Sequence, residues 1–437
     1  MRSSIARTVS ATRLGLVLTA VLALHVIAAF PARAEPAPPN LLSRVDAAAD
    51  TIRIGWPDIV CLADQHPGLS VGRWGVAAAR GAADAAGTLP NPLLDATLIR
   101  DQNAERLRGQ SEWDLGLTIP LGWITQRHHL VRAASAQVDA SREEARAIRR
   151  DVLLELRVLF WNLACEQARV AALDTLHSQS AELVRLVSRR VEMGEARPTE
   201  ATRVEIELEK VASELEASRI TLDARRDGLK LWISGERDRM VVIEAELGKV
   251  PQVPDLDAAL ATARSRHPGL GAARARVRSL AAEAGAERMA RIPGIELRGS
   301  TARELERRTY GGGIALDLPL WDWNSGRIAR AAAQLEAGRK QLEWETRQAE
   351  SAVIEAHAEC LATTRTAKRY RDRILPRAES VATIMEKTYR LGEAGLLELI
   401  DARRVLVESR LSYLATLVQA QLDCSRLIAL TGQEDTP

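Results

Sequence analysis

Two periods of hydrophobicity take turns along this chain. Trp113, Leu115, Leu117 and Ile119 alternate with Asp114, Gly116 and Thr118, and Tyr310, Gly312, Ile314, Leu316 and Leu318 alternate with Gly311, Gly313, Ala315 and Asp317. A period of two marks a strand with one apolar face. Each run has a partner upstream, "NPLLDATLIRD" and "PGIELRGSTAREL". Four strands are therefore expected, at about 91–101, 112–120, 293–305 and 310–319. Pro120 and Pro319 end the second and fourth because proline cannot extend a strand ladder.

Elsewhere the period lengthens. Leu208, Leu215, Leu222 and Leu229 recur every seven residues, with Val204, Val211 and Trp232 at companion positions. Leu156, Leu163, Val170, Val184 and Val191 share a similar grid, as do Leu335, Leu342, Ala349, Ala356 and Tyr370 in the second half. A seven-residue repeat held this long specifies coiled-coil packing with a left-handed supercoil. The runs 124–193 and 322–391 would each span about 100 Å as continuous helices. Gly194 and Gly392 mark the reversals, since glycine supplies the left-handed conformation that closes a helix and Pro198 suits the first turn of the next.

The two halves repeat one another. "HPGL" begins at His66 and again at His267; Pro120 answers to Pro319, Gly194 and Glu200 to Gly392 and Glu398, and Gly235 to Gly432. Four matches in one order, with offsets near 200, describe an internal duplication. The first repeat is read as 35–250 and the second as 251–437, each a helix, two strands and a long helical hairpin.

Composition narrows the class. Two Phe and four Tyr among 437 residues suit long helices better than several aromatic-filled cores. Sixty basic and 58 acidic residues leave a formal charge of +2, so no basic field points to a nucleic-acid partner. Arg2, Arg7 and Arg13 precede an apolar run ending in Ala32-Arg33-Ala34, the pattern of a secretory signal peptide over 1–34. No catalytic constellation, phosphate-binding loop or metal-ligand spacing is present, so neither an enzyme nor a cofactor is expected; His128-His129 are adjacent rather than one helical turn apart. Four strands cannot close a barrel alone, and lipid does not tolerate open sheet edges. If the strands span a membrane, the chain must oligomerise.

With its signal peptide, tandem helical hairpins, Pro-bounded strands and the stretch "YRLGEAGLLELIDARRVLVESRLSYLATLVQAQLDCSRLIALTG", the chain resembles the TolC-like outer-membrane efflux proteins over residues 50 to 432. The motif Tyr-x-x-Gly-x-x-x-x-x-Glu-x-x-Asp-Ala, Tyr389 to Ala402, carries the resemblance most specifically. It implies a mainly α fold with a small β part: a trimeric α-helical barrel joined to a shared 12-stranded transmembrane β-barrel. It also implies a passive exit duct in the outer membrane, reaching into the periplasm and working with a periplasmic adaptor and an inner-membrane pump of the RND, ABC or a similar class. The alternative is a soluble periplasmic coiled-coil adaptor, although one hairpin flanked by β-domains would be its usual form.

In that scheme Trp113, Leu115, Leu117, Ile314, Leu316 and Leu318 face lipid, and Trp113, Trp123, Tyr310, Trp321 and Trp323 lie near the interfaces. Glu398, Asp401, Glu200 and Tyr389 belong to the periplasmic entrance, where a ring of carboxylates favours cations. Ala394 stands where the family often carries a basic partner, leaving Arg390 or Arg197 to close the entrance. Gly194, Gly392, Arg190 and Arg390 form the tips that meet the adaptor. The four cysteines in an oxidising compartment permit two bridges. The resemblance brings Cys61 towards Cys424, the duplication sets Cys165 and Cys360 at similar depth, and buried free thiols are the other reading.

Overall fold

The computed structural model describes residues 51–100, 111–233, 240–245, 247–304 and 307–433, all within one unit, Asp50–Pro437. The signal-peptide reading lies outside the described residues.

The described residues begin with β1 (Thr51–Ile54), α1 (Trp56–Ala63) and α2 (Pro67–Gly87), then β2 (Leu93–Arg100) and β3 (Ser111–Pro120). The helical hairpin α3 (Ile124–Glu192) and α4 (Pro198–Ile233) follows, and β4 (Met240–Ile243) closes the half. The second half runs α5 (Leu256–Arg266), α6 (Pro268–Met289), β5 (Ile295–Glu304), β6 (Arg307–Leu316), α7 (Ser325–Arg369), a π-turn (Tyr370–Ile374), α8 (Leu375–Arg390) and α9 (Leu396–Thr431).

The helices bury the seven-residue pattern. On α4, Val204, Leu215, Ser218 and Leu229 are buried, and on α3 the buried line includes Leu153, Leu156, Phe160, Leu163 and Leu173. Helix α3 packs on α2, α4, α6 and α9, and α7 packs on α6 and α9. The 69 residues of α3 form one rod of about 100 Å.

Its counterpart in the second half carries a π turn. The Leu375 N–H donates to the Tyr370 carbonyl five residues back, and Pro376 follows at once. Proline offers no N–H to the carbonyl four residues before it, and its ring crowds that carbonyl; a wider turn there absorbs the mismatch. The expected run 322–391 is thus helical from Ser325 to Arg390, with one wider π turn within it.

Strands β2, β3, β5 and β6 form one antiparallel sheet in that order. Its register sets Leu117 opposite both Leu94 and Gly299, and Leu297 opposite both Ile119 and Ile314. One face therefore carries Leu94, Leu98, Leu115, Leu117, Ile119, Leu297, Ile314 and Leu316. Asp95, Asp114, Thr118, Arg298 and Ser300 occupy the other. Pro120 ends β3, but β6 stops at Leu316, three residues before Pro319. After Leu316 the Asp317 N–H still reaches the Gly294 carbonyl, and a turn from Leu318 to Leu320 takes over. Where strands hand over to helices the backbones nearly touch: a Cβ on Gly122 would lie 2.9 Å from the Gly294 Cα.

The described residues hold six strands, not four. β1 and β4 make a parallel pair of four residues each, with Ile54 and Ile243 buried. The Gln167 side chain on α3 accepts from the Ile243 N–H at 3.1 Å, tying this pair to the middle of the long helix. Strands this short carry no period for a sequence to display.

The disulfide expectation is corrected. Cys360 on α7 is bridged to Cys424 on α9, while Cys61 and Cys165 are free. Pairing follows the antiparallel contact within one hairpin rather than the equivalence between repeats, because a bridge needs Cα atoms within about 7 Å.

Candidate functional site

The sheet presents its apolar side chains outward. On β3, which has a strand on each side, Leu115, Leu117 and Ile119 are each about two-fifths exposed, whereas Gly116 is buried and Asp114 and Thr118 are half-buried. A soluble sheet covers its apolar face, so this inversion suits lipid outside and water inside. Trp113 is half-buried on the same face; Ile314, Leu316 and Leu318 are exposed, as are Tyr310, Trp321 and Trp323. Strands of ten residues match the length needed to cross a hydrocarbon core at a tilt. β2 and β6 are the sheet's edges within the chain, and nothing in the described residues pairs their outer sides.

At the far end of the hairpins both reversals have one geometry. Gly194 and Gly392 each take φ +78°. The Glu195 N–H donates to the Arg190 carbonyl and the Gly194 N–H to Val191; the Glu393 N–H donates to Thr388 and the Gly392 N–H to Tyr389. This paired arrangement is the Schellman closure of a helix.

Behind the turns the two hairpins share a core of Leu183, Val187, Val204, Tyr389, Leu396, Leu399 and Ile400, with Ala394 packed at its margin. Tyr389 is 4% exposed and the Arg190 guanidinium lies 5.5 Å over its ring. Within one chain Tyr389 and Arg190 thus bind hairpin to hairpin, rather than lying free at an opening. Glu195 stands 3.7 Å from Arg190.

Glu398 and Asp401 are exposed on one face of α9 and line a groove of about 540 Å³ with Arg373 and Arg377. Glu398 also caps its helix, accepting from the Gly395 N–H at 3.2 Å. Glu200 is half-buried in the first turn of α4. Arg390 pairs with Glu386 on its own helix at 2.7 Å, so in the single chain it does not reach the acids.

Three positioning residues escaped the sequence reading. His66 and His267, noted only as repeat markers, are the N-caps of α2 and α6, each accepting a backbone N–H on its ring. Asn324, the one described non-glycine residue with positive φ, stands at the N-cap position of α7, where its side chain, rather than capping the helix, donates to the Glu287 carbonyl at 2.7 Å and carboxylate at 2.9 Å. An asparagine before a helical run was the available signal.

Among the described residues no helix is long and apolar enough to cross a membrane, and no cluster of potential metal ligands occurs.

Comparison with known proteins accounts for this arrangement. The family model described as outer membrane efflux protein matches residues 60–231 and 259–433. The cobalt-zinc-cadmium resistance protein CzcC of Cupriavidus metallidurans is 22% identical over 79% of this chain and 82% of its own length. The CmeC outer membrane channel of Campylobacter jejuni superposes with a TM-score of 0.69, at 16% identity, over 87% of each chain. The open state of the MtrE outer membrane channel of Neisseria gonorrhoeae gives 0.70, at 18% identity, over 86% of this chain and 88% of its own.

Proposed function

This chain belongs to the outer membrane efflux protein family, and we propose that three copies assemble into one exit duct served by a periplasmic adaptor and an inner-membrane pump. The observation that carries the reading is the four-stranded sheet with an apolar outer face and two unpaired edges. In lipid such a sheet must close on further copies, and three supply twelve strands. The helical hairpins, whose longer arms each run about 100 Å from strand junction to tip by helical rise, would continue the same tube into the periplasm. The soluble-adaptor alternative is set aside, since an aqueous protein gains nothing from exposing Leu115, Leu117 and Ile314 on one face.

At the far end, Glu398 and Asp401 repeated three times would set six carboxylates around the entrance, with Glu200 near them. Cations are favoured there, and divalent metal ions stand first among cargoes, because the relative from Cupriavidus metallidurans is named for cobalt, zinc and cadmium resistance. Gly194 and Gly392, flanked by Arg190 and Arg390, are the surfaces offered to the adaptor. The lipid-facing set is Trp113, Leu115, Leu117, Ile314, Leu316 and Leu318.

Purified protein should be trimeric by light scattering in detergent, aggregate on detergent removal, and conduct ions in planar bilayers. A monodisperse, non-conducting monomer in plain buffer would overturn the reading. Loss of zinc, cobalt or cadmium resistance on deletion of the gene tests the cargo separately.

A further inference from the structure

A cleft of about 980 Å³ lies along the middle of the molecule, remote from both the sheet and the tips. Helix α3 contributes Arg146, Arg149, Arg150 and Arg157; the junction of α5 and α6 contributes Arg266 and His267; the end of α9 forms the remaining wall. Glu143 is the one carboxylate among the described lining residues. The arginines are partly compensated: Arg146 by Glu143 at 2.7 Å, Arg149 by Asp64 at 2.5 Å, Arg150 by Asp151 at 2.8 Å. Among the described residues, the guanidinium groups of Arg146, Arg149, Arg150 and Arg266 meet three carboxylates, which leaves this wall of the cleft positive. Arg157 lies over the Trp56 ring and donates to the Ser425 hydroxyl at 3.1 Å.

His267 points to what the charge is for. Its Nδ1 accepts from the Leu270 N–H at 3.3 Å, and its Nε2 faces the Arg150 Nη1 at 3.3 Å. Both neighbours can only donate, yet a neutral imidazole has one acceptor nitrogen and an imidazolium none. In either tautomer, one of the two donors meets an N–H. In the tautomer that satisfies the helix cap, with the proton on Nε2, His267 and Arg150 turn two donors towards each other at the cleft wall. An oxyanion bound beside them accepts from both and removes the conflict. Burial, and then Arg150, push the His267 pKa below the usual histidine value, which favours the neutral ring. The N-terminal turn of the 22-residue α6, with Pro268 and Gly271 in the lining, adds its positive dipole end.

We propose that this cleft is a binding site for a soluble phosphate-bearing small molecule, with Arg150 and His267 as its paired donors. A lipid headgroup is the wrong source, because Arg150 lies 26 residues along α3 from Ile124, about 40 Å below the strand junction. The volume exceeds that of a lone phosphate, so organic phosphates fit. The ligand would tie α3 of the first repeat to α6 and α9 of the second.

The test uses the purified full chain in detergent, with inorganic phosphate and pyrophosphate as probes and sodium chloride at matched ionic strength as the reference. Saturable binding by calorimetry and a thermal shift beyond the chloride control are expected. Arg150→Gln should weaken the affinity about tenfold, the loss of one charge-assisted hydrogen bond. His267→Asn keeps a capping side chain and should weaken binding likewise, and the wild-type His267 ring should show a raised pKa by nitrogen NMR when phosphate is present. Arg410→Gln, which alters a surface pair with Glu379, should change nothing. Equal effects of chloride and phosphate, or unaltered affinity in both Arg150→Gln and His267→Asn, would overturn the proposal. So would binding of phosphatidylglycerol micelles with no response to either inorganic probe. None of these readouts depends on conductance or on the proposed duct.

Discussion

Cys360 and Cys424 are joined by a disulfide with Cα atoms 4.8 Å apart, and each lies 32 residues from Gly392 along its own arm of the second hairpin. Antiparallel helices bring residues equidistant from their turn to the same level, which is why these two meet. The bridge staples the base of that hairpin. The first hairpin has Cys165 on α3 and no cysteine on α4, so its arms are held by packing and by ion pairs such as Arg169 with Glu214 and Arg219 with Asp174.

Non-reducing peptide mapping should therefore find one bridged pair, with Cys61 and Cys165 alkylated after denaturation without reductant. In the native protein Cys61, which is exposed, should react first; burial, then the neighbouring Glu166, push the Cys165 thiol pKa up. Replacing both bridged cysteines with alanine should lower stability by about 4 kcal/mol, the chain-entropy effect for a loop of this length. Recovery of a Cys61–Cys424 peptide would contradict the arrangement.

Neither tip glycine has an atom within 4 Å of where a Cβ would stand, so substitution there is resisted by φ +78° alone. Gly392→Val should cost about 1–2 kcal/mol and fray the turn, seen as faster hydrogen exchange from Tyr389 to Leu396. Gly392→Asn should exchange almost as slowly as wild type, because asparagine tolerates the left-handed region. Equal exchange in both variants would show that the turn does not depend on backbone conformation.

Glu398→Gln combined with Asp401→Asn should lower the cation-to-anion permeability ratio in planar bilayers while leaving the oligomer intact. Glutamine still accepts the Gly395 N–H, so the start of α9 survives the change. An unaltered ratio would place the selective constriction elsewhere.

Asn324→Ala removes two hydrogen bonds to Glu287, one of them to a carboxylate, and puts a Cβ-bearing residue without a polar side chain at φ 60°. A loss of about 2–4 kcal/mol is expected, measured as a fall in the unfolding midpoint. Asn324→Gly keeps the backbone but not the bonds and should lie between. A wild-type midpoint for Asn324→Ala would deny the Glu287 bonds their role.

His267 bears on acid stability. Its folded pKa is depressed below the usual histidine value, by burial first and then by Arg150, with Asp151 opposing. Above about pH 6.5 the ring is neutral in both states and the effect is silent. As pH falls through that value the unfolded chain takes up the proton first, so stability declines towards the lower folded pKa. His267→Asn should lose less stability than wild type between pH 7 and 5 in phosphate-free buffer; parallel profiles would refute this.

What the sequence determined by itself was whatever has a local period or a local backbone demand. The alternation from Trp113 to Ile119 and from Tyr310 to Leu316 shows as strands, and the seven-residue grid of Leu215 and Leu229, with Val204 at a companion position, shows as a buried helical stripe. Glycines at 194 and 392 mark their own turns because only the left-handed conformation closes the helix there. The tertiary structure alone decided features that depend on which surfaces meet. Cys360 chose Cys424 through the contact of α7 with α9, although their equal distance from Gly392 was there to be read. Tyr389 is buried because the first hairpin's Leu183, Val187 and Val204 lie against it. β1 found β4 across almost 190 residues, a pairing that neither four-residue segment encodes. His267 became both a helix cap and a cleft wall only when α3 carried Arg150 to its ring. Period and φ are properties of neighbours along the chain; pairing, burial and charge are set by neighbours in space.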